Sequence, residues 1–456
     1  MIVLLSLYEL GRPPLGIAQA AGFLARAGLA AEMYDLAVRP LDDEVLAACA
    51  RARLVGVSVP MHTALRLGMA ALPRLRAAAP DAHIAFFGLY APLNAEALRR
   101  AGADSVLGGE AEEALVALAR DLATAPPLVT LRRLDFPVPA RSGLPPLSSY
   151  ARLVIDDGAD GSDRLAGAVE ATRGCRHLCR HCPIPAVYHG RFFAVPVEIV
   201  VADAAQQVAA GARHLTFADA DFLNAPKHAL AVARAIHDRF PEVSFDFTAK
   251  VEHLLRHRDV LPELAGAGCV FVVSAVESLS DRVLEILDKG HRAADVAPAL
   301  QVVRAAGMSL RPTFLPFTPW TTAADYLALV HFVLEHDLTG EVDPIQLALR
   351  LLVPPGSLLL ERPELAPHLG ALDAQALTYG WRHPDPRMDA LQLEIQALVE
   401  QATEERMPAE ETFARIHDRA AAFLGATPAP GLGPGRGARR PRRRGPTAHL
   451  SEPWFC

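Results

Sequence analysis

Three cysteines stand close together near the middle of the 456-residue chain. They are Cys175, Cys179 and Cys182, in the run Cys-Arg-His-Leu-Cys-Arg-His-Cys. Thiolates at this spacing on one loop can each bind one iron of a [4Fe–4S] cluster, and the fourth iron then stays open for another ligand. The interleaved Arg and His residues are expected to lower the pKa of the thiols. A zinc site with His177 or His181 as the fourth ligand is the alternative.

Charged residues that follow predicted strands form a second group. Asp219 and Asp221 come directly after an apolar run, and because unpaired buried carboxylates are costly, we expect them to bind a ligand or to cap the next helix. Lys250 follows the next such run, where it either meets a bound anion or is solvated or ion-paired. Arg350 lies within an apolar run together with Gln346, so its partner is either a substrate anion or a carboxylate of the same domain.

The order of the predicted elements places these residues in a two-domain α/β protein. Short strands alternate with helices over residues 1–122, which predicts a doubly wound parallel sheet with ligands at the carboxyl ends of its strands. Residues 123–163 are rich in Pro, Gly and Asp and predict a linker. Over residues 164–380 six strands alternate with helices, which predicts a partial (β/α)6 barrel. The strand candidates are 166–171, 214–217, 244–248, 270–274, 309–314 and 345–351.

Two further segments follow the predicted barrel. Residues 381–424 are expected to form closing helices, and the Pro/Gly/Arg-rich residues 425–456 a disordered basic tail. A hydrophobic fraction of 51% excludes a chain that is disordered throughout. The net charge is −7 although the tail is basic, so the body is acidic and nucleic-acid binding is not expected.

Location is predicted from what the sequence lacks. It has neither a run of about 18 apolar residues nor the marks of a signal peptide, so we expect no membrane span. Its six cysteines are too few for a disulfide scaffold in a chain of this length, which favours the cytoplasm.

The CxxxCxxC run after the first barrel strand resembles the radical S-adenosylmethionine (radical SAM) superfamily, over roughly residues 164–380. The resemblance implies that Cys175, Cys179 and Cys182 hold a [4Fe–4S] cluster whose open iron is chelated by S-adenosylmethionine. It also implies that one electron, from a partner such as flavodoxin or ferredoxin, releases methionine and a 5′-deoxyadenosyl radical. Cleavage of another sulfonium bond, giving an aminocarboxypropyl radical, stays open.

The same resemblance implies roles for residues around the cluster. His181 would stack on the adenine, Asp219 and Asp221 would contact the methionine amino group, and Ser274 and Glu277 would reach the ribose hydroxyls. The implied cofactor-binding residues are His181, Asp219, Asp221, Lys250, Ser274, Glu277 and Arg311. Gln346, Arg350 and Cys456 are the substrate candidates.

The first domain resembles the cobalamin-binding module that precedes some radical SAM barrels. Leu15-Gly16-Ile17 leading into a helix and Gly108-Gly109-Glu110 near the end of the module carry this resemblance. Because no Asp-x-His-x-x-Gly lies on the first loop, no lower axial histidine is offered. Cobalamin is therefore a candidate cofactor, and the alternative is a module that packs on the barrel or binds the substrate.

The ending Trp454-Phe455-Cys456 resembles the tail of the CUAEP/CCAEP-tail radical SAM subfamily. This resemblance implies that the next codon is a UGA for selenocysteine and that Cys456 brings a thiolate near the substrate. An inert frayed end is the alternative.

Together these features predict a radical SAM enzyme that acts on a small, anionic or thiophilic substrate in specialised metabolism. The alternatives are a cobalamin-dependent radical SAM methyltransferase and a non-catalytic iron–sulfur sensor or scaffold.

Overall fold

A computed structural model describes residues 1–156, 163–425 and 447–452. The first domain is a parallel sheet with the strand order β2-β1-β3-β4-β5-β6. Its strands are β1 (Ile2–Ser6), β2 (Ala31–Asp35), β3 (Leu54–Ser58), β4 (His83–Phe87), β5 (Ser105–Gly109) and β6 (Val129–Thr130). Its helices are α1 (Leu15–Arg26), α2 (Asp43–Arg51), α3 (His62–Ala78), α4 (Ala95–Arg100) and α5 (Glu112–Arg120).

Helices cover both faces of this sheet. The central strands β1 and β3 are buried at every residue, as expected for runs of apolar side chains between two helical layers. Val3 and Leu5 pack on one face and Ile2 and Leu4 on the other, because successive side chains of a strand alternate. The predicted doubly wound parallel sheet is confirmed.

The second domain is a seven-stranded, nearly closed sheet with the order β14-β13-β12-β11-β8-β7-β17. Its strands are β7 (Arg152–Asp156), β8 (Arg164–Val169), β11 (His214–Phe217), β12 (Ser244–Thr248), β13 (Cys269–Glu277), β14 (Ser309–Phe314) and β17 (Thr447–Leu450). Its helices are α7 (Val197–Ala209), α8 (Pro226–Arg239), α9 (Val251–Arg256), α10 (Leu261–Gly266), α11 (Asp281–Leu287), α12 (Ala293–Ala305) and α13 (Ala323–Glu335). Strands β8 and β11–β14 pair in parallel, as predicted for the barrel.

Smaller elements complete the chain. A two-stranded ribbon of β9 (Thr172–Gly174) and β10 (Phe192–Ala194) flanks α6 (Pro183–Tyr188). A second ribbon pairs β15 (Leu369–Asp373) with β16 (Thr378–Trp381), and helices α14 (Pro386–Glu404) and α15 (Ala409–Leu424) follow it. No helix in these described ranges is both long enough and apolar enough to cross a bilayer.

The sixth barrel strand, predicted over residues 345–351, is not a strand. Residues Pro344–Ala348 form a 3-10 turn, because Pro344 lacks a donor for a strand ladder and the Asp343 carboxylate accepts the Ile345 amide hydrogen at 3.1 Å. What remains of the sixth position is a single parallel bridge between Phe317 and Arg350.

The predicted linker and the predicted disordered tail each supply a strand to the barrel sheet. β7 pairs antiparallel with β8, and β17 pairs antiparallel with β7, with Leu450 opposite Leu153. Leu153 and Ala448 pack against Phe271 and Val273 of β13. The expectation of no regular structure in these segments is therefore wrong at β7 and β17, where the two strands cover an otherwise open sheet edge. It is also wrong at the two-residue strand β6, which lies in the predicted linker and joins the first sheet.

A buried charge cluster joins the two domains. The Arg173 guanidinium, just before the cysteine loop, lies 2.6 Å from Glu112, 3.3 Å from Glu110 and 2.8 Å from Glu170. Tyr188 donates a hydrogen bond to Glu110 at 3.0 Å. One cation thus holds carboxylates of both domains and fixes where the loop lies relative to the first domain.

Candidate functional site

The cysteine loop starts from the β9–β10 ribbon. Gly174 precedes it with a φ of +77°, and a side chain there would lie 2.5 Å from the Arg191 carbonyl oxygen and 2.6 Å from the Tyr188 ring. Only glycine fits this position, so the chain enters the loop in one conformation. At the other end Pro183 takes the first position of α6, where its missing N–H costs nothing.

The three thiols share a largely buried space. Cys175 and Cys179 are 8% and 7% exposed and Cys182 is half-buried, and all three are free. Burial raises the pKa of Cys175 and raises that of Cys182 to about 12, and each is raised further by the neighbouring thiols. At Cys175 and Cys182 burial therefore opposes the lowering of the pKa that the interleaved basic residues are expected to cause. A metal that binds these thiols would have to displace their protons.

Two of the interleaved basic side chains point elsewhere. Arg176 stacks on the Phe192 ring at 5.2 Å. Arg180 donates to the carbonyl oxygens of Glu285 and Ile286 at 3.0 and 2.8 Å, at the carboxyl end of α11. These contacts fasten the loop to the barrel, so the arginines have a structural role there.

His181, another basic residue of the cysteine loop, lies next to Glu277 at the end of β13. Glu277 lies 3.1 Å from His181 and accepts a hydrogen bond from Lys289, also at 3.1 Å. Burial acts to raise the pKa of Glu277, but the charges of Lys289 and His181 outweigh it and hold the pKa well below its usual range. Glu277 has a φ of +66°, at an irregularity in the β13–β14 pairing. The carboxylate thus holds a lysine and a histidine beside the loop.

His177 meets a second carboxylate, Asp221. His177 Nε2 lies 3.1 Å from His253 Nε2, and the carboxylate of Asp221 lies 2.8 Å from His253 Nδ1 and 3.7 Å from His177 Nε2. Burial lowers the pKa of His177 to about 3, and the charge of Lys250 acts in the same direction. Asp221 also accepts the Leu223 amide hydrogen, so it caps the short turn that follows β11.

Several polar atoms around the loop are buried and lack a hydrogen-bond partner within the described part of the chain. They include Asn224 Nδ2 and His181 Nδ1. Asn224 Oδ1 accepts the Arg176 amide hydrogen at 3.4 Å, which places this side chain at the loop. Unpartnered buried polar atoms are costly, so they indicate a polar ligand. Three clustered thiols next to such atoms fit an iron–sulfur cluster together with a polar cofactor.

Three other predicted cofactor-binding residues either contact groups of the protein itself or lie buried in its interior. Asp219 accepts hydrogen bonds from the Ala171 amide at 2.9 Å and from the Thr172 hydroxyl at 2.6 Å, so it braces the loop entrance. Lys250 lies 3.8 Å from the Glu252 carboxylate, so it forms an ion pair within the protein. Ser274 is fully buried on the face of β13 that packs on the helices, opposite Val273.

The structure also separates the predicted substrate residues. Arg350 pairs with Asp389 at 2.6 Å and donates to the Trp381 carbonyl oxygen at 2.7 Å, so its partner is internal. Gln346 accepts the Phe314 amide hydrogen at 3.0 Å, and Arg311 lies near it in a cavity of the barrel interior. Cys456 lies outside the described residues.

Four site residues were missed by sequence reasoning: His253, Lys289, His291 and Asn224. A weak signal exists for two of them, since Lys289 and His291 flank a glycine just after the carboxyl end of α11. Asn224 and His253 follow strands β11 and β12 and could have been listed with their neighbours Asp221 and Lys250.

The carboxyl edge of the first sheet is where the sequence predicts a cobalamin site. The loop between β1 and α1, residues 7–14, contains no histidine, so it offers cobalt no imidazole ligand. The Glu9 carboxylate already accepts the Leu15 and Gly16 amide hydrogens at the start of α1, at 2.8 and 3.2 Å. A side chain at Gly108 would collide with the Pro92 ring, so this glycine leaves no open cradle. These residues do not fit a cobalamin held through a protein histidine.

Comparisons with known proteins agree with the two-domain interpretation. Residues 169–332 match the family model of the radical SAM superfamily, and residues 2–119 match that of the B12 binding domain. The chain therefore carries a B12-binding domain followed by a radical SAM domain. The resemblance to the radical SAM superfamily is confirmed, whereas the subfamily suggested by the last three residues stays a prediction.

Individual relatives are distant. An uncharacterized methyltransferase from Pyrococcus horikoshii is 25% identical over 195 residues, 42% of each chain. The ribosomal protein uS12 methylthiotransferase RimO of Desulfosudis oleivorans is 29% identical over 180 residues, 36% of this chain and 39% of that protein. The chain thus spans about two fifths of the length of these curated relatives.

Solved structures share the fold. The radical SAM methyltransferase TsrM from Kitasatospora setae, with cobalamin and a [4Fe–4S] cluster bound, superposes with a TM-score of 0.57 at 19% identity, covering 74% of this chain and 70% of that one. The cobalamin-dependent radical enzyme OxsB, with aqua-cobalamin and S-adenosylmethionine bound, gives a TM-score of 0.65 at 14% identity, covering 93% and 72%.

Proposed function

We propose that this protein is a radical SAM enzyme that uses a [4Fe–4S] cluster to cleave S-adenosylmethionine reductively and acts on a small substrate. The observation that carries the proposal is the loop with Cys175, Cys179 and Cys182, which lies at the carboxyl ends of the barrel strands within the part that matches the radical SAM family model. The unpartnered buried polar atoms beside the loop support a bound polar cofactor.

Some residues of the chain would bind the cluster, and others hold neighbouring side chains in place beside it. The three thiolates would hold the cluster, and the charge of Lys289 favours the thiolate of Cys182. When bound, the cluster and S-adenosylmethionine supply one-electron cleavage of a sulfonium bond. Glu277 keeps Lys289 and His181 in place beside the loop. The burial of Cys175 and Cys179 excludes water from this side of the site.

The test is anaerobic reconstitution with iron and sulfide, followed by reduction with dithionite in the presence of S-adenosylmethionine. We expect a brown protein that releases 5′-deoxyadenosine and methionine, and a Cys179→Ala variant that releases neither. Formation of 5′-methylthioadenosine instead would identify the other sulfonium bond as the one that is cleaved. A reconstituted cluster without any cleavage, even with candidate substrates, would favour the sensor alternative.

A cobalamin-dependent radical SAM methyltransferase is the second candidate. The match of residues 2–119 to the B12 binding domain favours it, whereas the first loop, which lacks a histidine, counts against a lower axial protein ligand. Cobalamin retained by the protein after gel filtration, at about one per chain, would move this candidate to first place.

The reductant and the location belong to the same proposal. Reductive cleavage needs a one-electron donor, and a flavodoxin or ferredoxin has the chemistry for it. The five cysteines among the described residues are all free thiols, which supports a reducing compartment such as the cytoplasm.

A further inference from the structure

Two histidines and an aspartate beside the cysteine loop form a cluster of metal-binding side chains that includes none of the three cysteines. They are His177, Asp221 and His253, and each offers one ligand atom, with these atoms all within 4.8 Å of one another. His177 lies on the loop itself, Asp221 on the turn after β11 and His253 on α9. Packed elements of the fold thus bring the three side chains together without a bound ion.

The distances within this cluster resemble those between the ligands of one ion. His177 Nε2 lies 3.1 Å from His253 Nε2 and 3.7 Å from the Asp221 carboxylate, which is 2.8 Å from His253 Nδ1. Nitrogen and oxygen ligands lie about 2.0–2.2 Å from zinc, so two neighbouring ligands are about 3.0 Å apart at a right angle and about 3.4 Å apart at a tetrahedral angle. Because His253 can offer either ring nitrogen, modest side-chain rotations would bring all three residues onto one ion.

Hydrogen bonds within the protein leave the cluster incompletely satisfied. The contact between the two Nε2 atoms accounts for one nitrogen of each histidine. His253 is 1% exposed, and its Nδ1 has no hydrogen-bond partner within the described part of the chain. The Asp221 carboxylate is 2.8 Å from this nitrogen but is not aligned with it as a hydrogen-bond acceptor. Ligands at adjacent positions around an ion approach each other in this way, since each points at the ion instead of at its neighbour.

Asp221 is a buried carboxylate without a lysine or arginine partner. Its Oδ1 accepts the Leu223 amide hydrogen at 3.0 Å, and its Oδ2 accepts the Lys250 amide hydrogen at 3.4 Å. In the described ranges it forms no ion pair with a lysine or arginine, and the ammonium of Lys250 lies beside Glu252 instead. A buried carboxylate needs a partner, and a bound cation would supply one.

The ligand types narrow the class of ion. Two imidazoles and one carboxylate suit divalent ions such as Fe²⁺, Mn²⁺ and Zn²⁺, whereas softer ions prefer thiolates such as those of the loop. Three protein ligands leave further coordination positions open for water or for an oxygen or nitrogen atom of a second ligand. The cluster is therefore suited to an ion that is exchangeable and chemically accessible.

We infer that His177, Asp221 and His253 bind one divalent transition-metal ion, in addition to the cluster that the cysteines would hold. The two sites share the loop but no ligand, because His177 lies between Cys175 and Cys179 and all three cysteines are left to the cluster. The ion can therefore bind whether or not the cluster is present, and the inference does not depend on the proposed function.

Mn²⁺ is the probe for the test, because it binds carboxylate and imidazole groups and has little preference for thiolates. The reconstituted full-length protein is washed with a chelator to remove loosely held iron, kept oxidised and titrated with Mn²⁺. Electron paramagnetic resonance follows the signal of the free aqueous ion, and we expect about one Mn²⁺ bound per chain, displaced by Zn²⁺. Pulsed measurements should detect imidazole nitrogen next to the bound ion.

Variants of the three residues locate the ion. His177→Gln, Asp221→Asn and His253→Gln should each weaken Mn²⁺ binding by about tenfold or more, since even residues behind the ligands contribute about 10–100-fold. His257→Gln is the matched control, because its ring packs 5.5 Å from that of His253 but is not among the three ligands. It should bind Mn²⁺ as the natural protein does.

If Asp221→Asn unfolds because it loses the cap of the turn after β11, the two histidine variants decide. Cys179→Ala, which should lack the cluster, should still bind Mn²⁺, so failure of the cluster assignment leaves this result unchanged. No bound Mn²⁺ up to about 1 mM, unchanged affinity in folded His177→Gln and His253→Gln, or loss of binding in Cys179→Ala would each overturn the inference.

Discussion

The Lys289 ammonium donates a hydrogen bond to the Glu277 carboxylate over 3.1 Å, and Lys289 is only 3% exposed. Glu277 is also 3.1 Å from His181, so one carboxylate joins the cysteine loop, the end of β13 and the segment after α11. Removing one partner of a buried pair leaves the other charge uncompensated, which costs more than the pair itself contributes. Replacing only one residue of this pair is therefore expected to destabilise the folded protein.

Glu277→Ala should destabilise the protein by about 3–5 kcal/mol, because it leaves Lys289 buried without its counter-ion. The folded fraction should keep its cluster and bind S-adenosylmethionine more weakly. Urea unfolding gives the first quantity and equilibrium dialysis the second. The exposed Glu285, in the same region, supplies the control Glu285→Ala.

The double variant Glu277→Gln, Lys289→Gln separates charge from packing. With both charges removed, most of the lost stability should return, because no unpaired ion is left in the interior. A double variant as unstable as Glu277→Ala would mean that the pair acts through shape alone.

Cys179→Ala should abolish cluster assembly, because three thiolates are the minimum that holds a [4Fe–4S] cube with one open iron. Iron and sulfide analysis after anaerobic reconstitution should drop from about four of each per chain to near zero. Cys269→Ala is the matched control, since Cys269 is buried and free but lies at the start of β13. Equal iron in the two variants would contradict the ligand assignment.

The three cysteines proposed as ligands could be predicted from the sequence because they lie within eight consecutive residues. The rest of the site could not, because barrel closure brings it together from separate strand ends. His253 and His177 lie 76 positions apart in the chain and 3.1 Å apart in space. Sequence also leaves the partner of a charge within an apolar run undetermined. Arg350 is compatible with a substrate anion or with a carboxylate of the same domain, and the structure places Asp389 of α14 2.6 Å away.

In the fold, too, elements marked by a local sequence pattern could be predicted, whereas pairings between distant segments could not. Strands such as β1 and β3 are continuous apolar runs between helices, and this local pattern predicts them. Strand β17 is four residues long and pairs with β7 almost 300 positions away, as the Arg152–Ser451 hydrogen bond across 299 positions illustrates. No local periodicity contains that partner, so a Pro/Gly-rich context led to a prediction of disorder.

Asp219 should give the protein a characteristic pH dependence. Burial raises the pKa of Asp219 from 3.8 to about 7, and neighbouring hydrogen bonds only partly oppose it. Between these two values the folded chain holds a proton that the unfolded chain has lost, so the free energy of unfolding falls as pH rises through this window. The contribution is complete below the unfolded pKa and is lost above about pH 7.

Asp219→Asn is the variant that isolates this effect. Its amide oxygen can still accept the Ala171 amide hydrogen, but it does not titrate. Urea unfolding of the metal-free protein gives the free energy of unfolding at each pH between 4.5 and 7. Relative to the variant, this free energy should fall in the natural protein by up to about 1.4 kcal/mol per pH unit. Other buried carboxylates contribute equally to both proteins, so the difference reports Asp219 alone. Parallel curves would show that Asp219 ionises normally in the folded chain.

Arg173 should control how the two domains are joined. Its guanidinium holds Glu110 and Glu112 of the first domain and Glu170 of the second, and its side chain is 6% exposed. Arg173→Met fills a similar volume but leaves buried carboxylates without a cation, which should cost about 3–5 kcal/mol. Lysine would not restore the natural state, because one ammonium cannot reproduce the geometry of a guanidinium with several carboxylates.

Limited proteolysis distinguishes a loosened interface from general unfolding. In Arg173→Met we expect faster cleavage within residues 131–151, between β6 of the first sheet and β7 of the second, while the two domains themselves stay resistant. Arg191→Met is the control, since Arg191 is exposed and makes one long hydrogen bond of 3.4 Å to the Leu131 carbonyl oxygen. Because Gly174 and the cysteine loop follow Arg173 directly, a loosened interface should also slow cluster assembly. Cleavage and assembly rates that equal those of Arg191→Met would mean that the domains are held together by apolar packing instead.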